Sequence, residues 1–224
     1  MKPVDAIYLA AGQGIRAGLG YPKQIALLGG KPIMMHALEI LEGMPEISRI
    51  VVASVPDRLP DFQRLMEQYA ISKATCIAGG KTRQESVRRA LGHCSTDRVL
   101  IHEAVRPFVT RGHFLTLLVT AATAVVPVVS VVPTIVHRGG YFPRRSELMN
   151  VQLPQVFDRG ILERAHALGE GRDYSDDSSL VFETMNIFPL LIDGLEQNIK
   201  ITTPLDLKLA EAIYEEHRGH NRSE

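Results

Sequence analysis

The sequence predicts an α/β protein with a mostly parallel sheet, helices on both faces and a projecting β-arm. Three observations carry this. Short β-rich runs alternate with amphipathic helical patterns from the start of the chain. Those runs are almost continuously apolar, as strands covered on both faces must be. A Gly-containing loop follows the first run, where strand carboxyl ends make a ligand crevice in open sheets.

The elements follow in order. Ala6–Ala10 reads as the first strand, Ile50–Ser54 as the second, Ala74–Ala78 as the third and Arg98–His102 as the fourth. Pro32 precedes the helical stripe Ile33, Ala37, Leu38, Leu41, and Pro60 precedes Phe62, Leu65, Met66, Tyr69. Ala124–Val132 predicts a fifth strand. The Gly-rich, basic stretch from Thr134 to Gln155 then breaks the alternation as the arm. Helices are expected near Asp158–Leu168 and Asp176–Glu183, strands at Phe188–Ile192 and around Ile199, and a last helix after Pro204, with fraying from His217. The arrangement is Rossmann-like, and its 224 residues suit one domain over 1–224.

Composition narrows the function classes. Lys and Arg total 25, as do Asp and Glu, so no global field draws the chain to nucleic acid or an anionic membrane, and any phosphate site must be local. Cys76 and Cys94 fall in no metal-ligand spacing and read as buried packing residues in a reducing compartment. No signal pattern opens the sequence and no apolar run approaches the ~18 residues of a membrane span, so the expected location is the cytoplasm.

The first loop reads Ala10-Ala-Gly-Gln-Gly-Ile-Arg16. Glycine lets backbone N–H groups approach phosphate oxygens closely. Gly12-x-Gly14-x-x-Ala17 also fits a loose dinucleotide fingerprint. Two features count against that reading: Gly18, Gly20 and Pro22 follow instead of a helix, and the second strand ends in Ser54-Val-Pro without an acidic residue for a ribose. The loop delivers two cations, Arg16 and Lys23. A planar fork and a point charge together suit a triphosphate that loses pyrophosphate, although solvated loop cations would look the same in sequence.

Seven ordered segments then point to one family: Ala10-Ala-Gly-x-Gly-x-Arg16, Pro22-Lys-Gln24, Gly79-Gly-x-x-Arg-Gln-x-Ser-Val87, His102-x-Ala-x-Arg-Pro-Phe108, Pro154-Gln155, Ser175-Asp-Asp-Ser-Ser179 and Asn198-Ile-Lys-Ile-Thr-Thr-Pro204. Over almost its whole length the chain resembles the 2-C-methyl-D-erythritol 4-phosphate cytidylyltransferases and the related ribitol-5-phosphate cytidylyltransferases. The resemblance implies an enzyme that uses CTP and a small polyol phosphate, with Mg²⁺ or another divalent cation. It assigns Arg16, Lys23 and Lys200 to the reacting phosphates. It assigns Ala10, Ala11, Gly12, Gly14, Gly80, Lys81, Ser86 and Ala104 to the nucleotide. Arg106, Thr134, Arg145 and Ser175 fall to the acceptor, and Glu103 to the metal, where the family usually has Asp. The arm, 134–155, is implied to exchange across a homodimer so that its Arg completes the neighbour's site.

Simpler readings stand beside several of these. Thr82 can cap a helix, Glu103 can pair with Arg106, Lys200 can face solvent from a strand, and Asp176 and Asp177 can be plain helix caps. Pro133, Leu153 and Ser175 replace the family's common Asp, Thr and Thr on the acceptor side. Lost polar groups there leave ribitol 5-phosphate, another polyol phosphate or a nucleotide-binding homologue without turnover as alternatives.

Overall fold

The computed structural model describes residues 2–12 and 22–220. β1 (Val4–Ala10) is buried at all seven positions. It lies between two parallel neighbours, β4 (Ile47–Ser54) and β6 (Arg98–Glu103), and β5 (Ala74–Ala78) pairs with β4. On the other side β9 (Gln155–Asp158) enters antiparallel between β6 and β7 (Ala124–Ser130). β10 (Leu190–Asp193) completes the order β10-β7-β9-β6-β1-β4-β5, and β8 (Met149–Val151) pairs antiparallel with β7. The short hairpin of β2 (Leu27–Leu28) and β3 (Lys31–Pro32) stands apart.

Helices cover both faces. α1 (Ile33–Glu42) starts directly after Pro32, and α2 (Leu59–Gln68) carries Pro60 in its first turn, where a missing N–H costs nothing. With α4 (Arg111–Val119) they enclose a core containing Tyr8, Leu38, Phe62 and Phe114. The opposite face packs α3 (Arg83–Leu91), α5 (Arg159–Leu168) and α6 (Asp177–Met185) around Leu9, Val87, Phe157, Leu162 and Leu180. α7 (Pro204–His220) closes a third cluster with Leu28, Ile33, Phe108, Ile201 and Ala210.

Several expectations are corrected. The fifth strand ends at Ser130, short of Val132, and the last strand starts at Leu190 after Pro189. Ile199 forms no strand; 198–201 is an irregular segment fixed by other means. α7 runs on to His220, past the expected fraying point. α4 went unpredicted because Phe114, Leu115, Leu117, Leu118 and Val119 form a nearly continuous apolar run instead of a stripe. β9 is missed because four residues are too few to show alternation. The arm projects only over 131–148, since Met149–Val151 hydrogen-bonds to β7 and Gln155 opens β9. Cys94 is buried, with its thiol pushed up to about 12 by burial, but Cys76 is only half-buried and its Sγ lies 3.2 Å from Ser54 Oγ.

Candidate active site

Parallel register brings the carboxyl ends of four strands to one edge: Leu9 pairs with Glu103, Ala10 with Ser54, and Ser54 with Ala78. The loop leaving β1 is held from below. Gln24, itself buried, donates through Nε2 to the carbonyls of Ala10 (2.9 Å) and Gly12 (2.8 Å). This clamp ties 22–24 to the loop, so that Lys23, Ala11 and Gly12 line one cavity of 470 Å³. Lys23 is 8% exposed, which is unusual for a lysine and argues against a solvated loop cation. Arg16 and Gly14 lie outside the described residues.

The same cavity is closed by the loop after β5, through Gly80, Lys81 and Ser86. Thr82 caps α3, its hydroxyl accepting from Glu85 N at 3.0 Å, so the cap reading holds. Ser86 Oγ accepts from Gly80 N and donates to Thr82 O, both at 2.9 Å, and Lys81 N donates to Glu85 Oε2 at 2.7 Å. With those N–H groups engaged inside the loop, and the carbonyls of Gly79 and Thr82 taken by Arg89 and Ser86, the carbonyls of Gly80 and Lys81 remain for a ligand. Gly79 is needed for close approach: a Cβ there would sit 2.5 Å from Ala11 Cβ and 3.0 Å from Ser54 O. The two loops therefore touch. Ala10 and Ala104 are buried behind them, Ala104 N donating to Leu9 O, and neither lines the cavity.

Glu103 is the hub. Its carboxylate, 6% exposed, receives Lys200 Nζ at 2.8 Å, Arg106 Nε at 3.2 Å and Arg83 Nε at 3.5 Å. Burial alone would push its carboxyl up, but Lys200, Arg106 and Arg83 outweigh that and hold it down to about 2. The pairing with Arg106 is thus present, as part of a larger cluster with more positive than negative charge. Lys200 is 97 residues away in sequence and reaches Glu103 without a strand. Its segment is pinned instead: Ile201 N donates to Val105 O at 3.0 Å, Asn198 Nδ2 to Leu153 O at 2.6 Å, and Arg106 Nη1 to Asn198 O at 2.9 Å.

A second cavity, of 540 Å³, adjoins the first, and Arg83, Glu103 and Lys200 line both. Arg106 and Ser175 line the second, as does Leu153 on its apolar wall. Thr134 and Arg145 do not; they lie on the exposed arm, where Arg145 Nη1 donates to Val132 O at 2.9 Å. Asp176 caps α6 in a capping box with Ser179, whereas Asp177 is buried against Arg83 and His166. Sequence reasoning missed Gln24, Arg83 and His166 as site residues. Gln24 and Arg83 sit inside the quoted motifs, but their roles depend on distant partners.

Among the described residues no three His, Cys, Asp or Glu side chains are grouped to hold a metal ion. Glu103 is the single carboxylate lining the first cavity among them. One carboxylate plus phosphate oxygens is a donor set suited to Mg²⁺, which keeps much of its shell from water and substrate. The residues therefore fit a cation that arrives with a phosphate ligand.

A sequence model of the 2-C-methyl-D-erythritol 4-phosphate cytidylyltransferase family matches residues 4–216. The enzyme of that name from Halalkalibacterium halodurans is 40% identical over 218 residues, covering 92% of this chain and 95% of that one. The Bacteroides fragilis enzyme is 38% identical over 216 residues, covering 93% and 98%. The crystal structure of the Thermus thermophilus enzyme superposes with a TM-score of 0.78 at 32% identity, covering 94% of this chain and 98% of that chain. The crevice geometry, the match along nearly the whole chain and the shared architecture agree, and the chain belongs to the 2-C-methyl-D-erythritol 4-phosphate cytidylyltransferase family.

Proposed function

We propose that the protein transfers the cytidylyl group of CTP to 2-C-methyl-D-erythritol 4-phosphate and releases pyrophosphate. The observation that carries this is the pair of adjoining cavities joined by Arg83, Glu103 and Lys200. Such a junction suits two polyanions that must meet. The first cavity takes CTP: Gly12 and Lys23 face its phosphates, and the carbonyls of Gly80 and Lys81 suit the exocyclic amino group of cytosine. The second takes the acceptor, with Arg106 and Ser175 at its wall.

The acceptor phosphate, with a second pKa near ~6, is already a dianion at neutral pH, so no general base is needed. One of its oxygens forms a bond to the α-phosphorus, the bond from that phosphorus to the bridging oxygen breaks in line, and pyrophosphate leaves with the electron pair. Lys23 and Lys200 neutralise charge at the reacting phosphates, Arg16 is assigned the same task by the family pattern, and Glu103 holds Lys200 and Arg106 in place. Glu103 would also hold Mg²⁺, whose chemistry when bound is to neutralise phosphate charge.

The arm supports a homodimer on this reading. Thr134 and Arg145 line neither cavity of their own chain, although Glu147, two residues on, lines the second; an arm that reaches a second copy would bring both to that copy's acceptor site. The cytoplasm is the proposed location; no helix among the described residues is long and apolar enough to cross a membrane.

Leu153 on the wall of the second cavity, where the family commonly has Thr, leaves one alternative open, a different polyol phosphate such as ribitol 5-phosphate. Pyrophosphate release from CTP with a panel of acceptors tests both. Turnover with methylerythritol phosphate above all others is expected; CTP binding with no release for any acceptor would overturn the assignment.

A further inference from the structure

Arg83 opens α3 with its backbone set by the Thr82 cap, and its side chain lines both cavities. Two carboxylates compete for it. Asp177 Oδ2 lies 2.7 Å from Nη1, and Glu103 Oε1 lies 3.5 Å from Nε. Nη2 is buried without a hydrogen-bond partner. Asp177 is 1% exposed, and its other oxygen lies 3.3 Å from Nε2 of His166, which is 2% exposed. The contact to Arg83 is a close ion pair, so attraction between charges holds Arg83 there.

Stability is a poor explanation for this group. A buried ion pair seldom contributes more than a well-packed apolar pair of equal volume would. Placement is a better one. Glu103 already serves Lys200 and Arg106 at shorter distances, and without Asp177 the nearest anion for Arg83 is Glu103. Asp177 therefore keeps Arg83 at the junction and keeps Glu103 for the other two cations.

We propose that Arg83 contacts the acceptor phosphate where it meets the nucleotide, and that Asp177, backed by His166, is its positioning residue. This rests on the function proposed above. A guanidinium suits a phosphate dianion through charge-assisted hydrogen bonds, and the Arg83 side chain, 27% exposed, lines both cavities.

The test compares Arg83→Met, Asp177→Asn and the double variant with the wild type in steady-state turnover, with thermal melts as a folding control. Arg83→Met is expected to lower kcat/KM for the acceptor by about 10²- to 10³-fold, the usual cost of one lost donor to developing charge. Asp177→Asn should cost about tenfold by itself and nothing further in the Arg83→Met background, because a positioning residue has no effect once its target is gone. Because a structural ion pair is also non-additive, the deciding readout is the split between parameters: positioning lowers acceptor kcat/KM while KM for CTP and the melting temperature hold, and a fall in all of them together overturns the proposal. Acceptor kcat/KM within about twofold of wild type for Arg83→Met, or equal Asp177→Asn losses in both backgrounds, would overturn the proposal. Calorimetric titration of inorganic phosphate separates its failure from failure of the assigned reaction. If wild type turns over no acceptor, weaker phosphate binding by Arg83→Met still supports the contact, and unchanged binding overturns it.

Discussion

At the scale of single residues, the site is a problem in placing charge where water is scarce. Lys23 is buried in a cavity wall, where its charge can face a ligand's phosphate with little screening by water. On the proposed reading, Lys23→Ala lowers kcat about 10²-fold or more while the melting temperature changes little; rate and melt measured on one preparation check this. Asp5, at the far end of β1 from the crevice, has only a structural role. Burial would push its carboxyl up, but hydrogen bonds from Ser48 Oγ (2.6 Å), Ser95 N (2.6 Å) and Thr96 N (3.2 Å) hold it below the ordinary 3.8. A carboxylate with a depressed folded value stabilises the fold above 3.8, and the contribution is lost as the pH falls through the lower folded value. Asp5→Asn should therefore cost about 1–3 kcal/mol at pH 7 and much less in strong acid, read by urea unfolding at both.

At the scale of elements, the loops at the sheet edge are held by the helices they introduce. α3 wraps its own N-terminal loop through Thr82, Glu85 and Ser86, and Arg89 Nη1 donates to Gly79 O at 3.0 Å. Thr82→Ala removes the cap, at about 1 kcal/mol. Because the loop also lines the proposed nucleotide cavity, the same change should raise KM for CTP several-fold with a smaller effect on kcat. Equal kinetics with lower stability would confine Thr82 to capping. This element was legible as a turn with a cap near Thr82, since Thr followed three residues later by Glu is a local signal. The strand expected around Ile199 does not form: the segment is pinned through Val105, Leu153 and Arg106, partners no local pattern reveals.

At the scale of the whole molecule, the arm poses the main question. Its residues 131–148 project with Val136, Tyr141 and Phe142 exposed, more apolar surface than a lone loop normally carries. If it completes a neighbour's acceptor site, Lys23 of one copy and Arg145 of the other serve the same site, so Arg145→Ala and Lys23→Ala on different chains of a mixed dimer fall together in one site. Co-expression of the two variants should then give heterodimers with one intact site and an activity that neither variant has by itself. Activity no greater than the sum of the two, in particles shown to be mixed dimers, would refute the exchanged arm.

The alternation of strands and helices, the burial of the central strands and the order of the motifs were all legible in the residues, because they follow from local periodicity, turn chemistry and residue type. Through the family motifs the sequence also pointed to Arg16, Lys23 and Lys200 for the reacting phosphates and to Glu103 for the metal. Folding was needed to reveal that Gln24 clamps the first loop, that Glu103 gathers three cations and that Arg83, held by Asp177, stands where two cavities join. Those contacts link residues dozens of positions apart, and their energy depends on distance and burial, which exist only once the chain has folded.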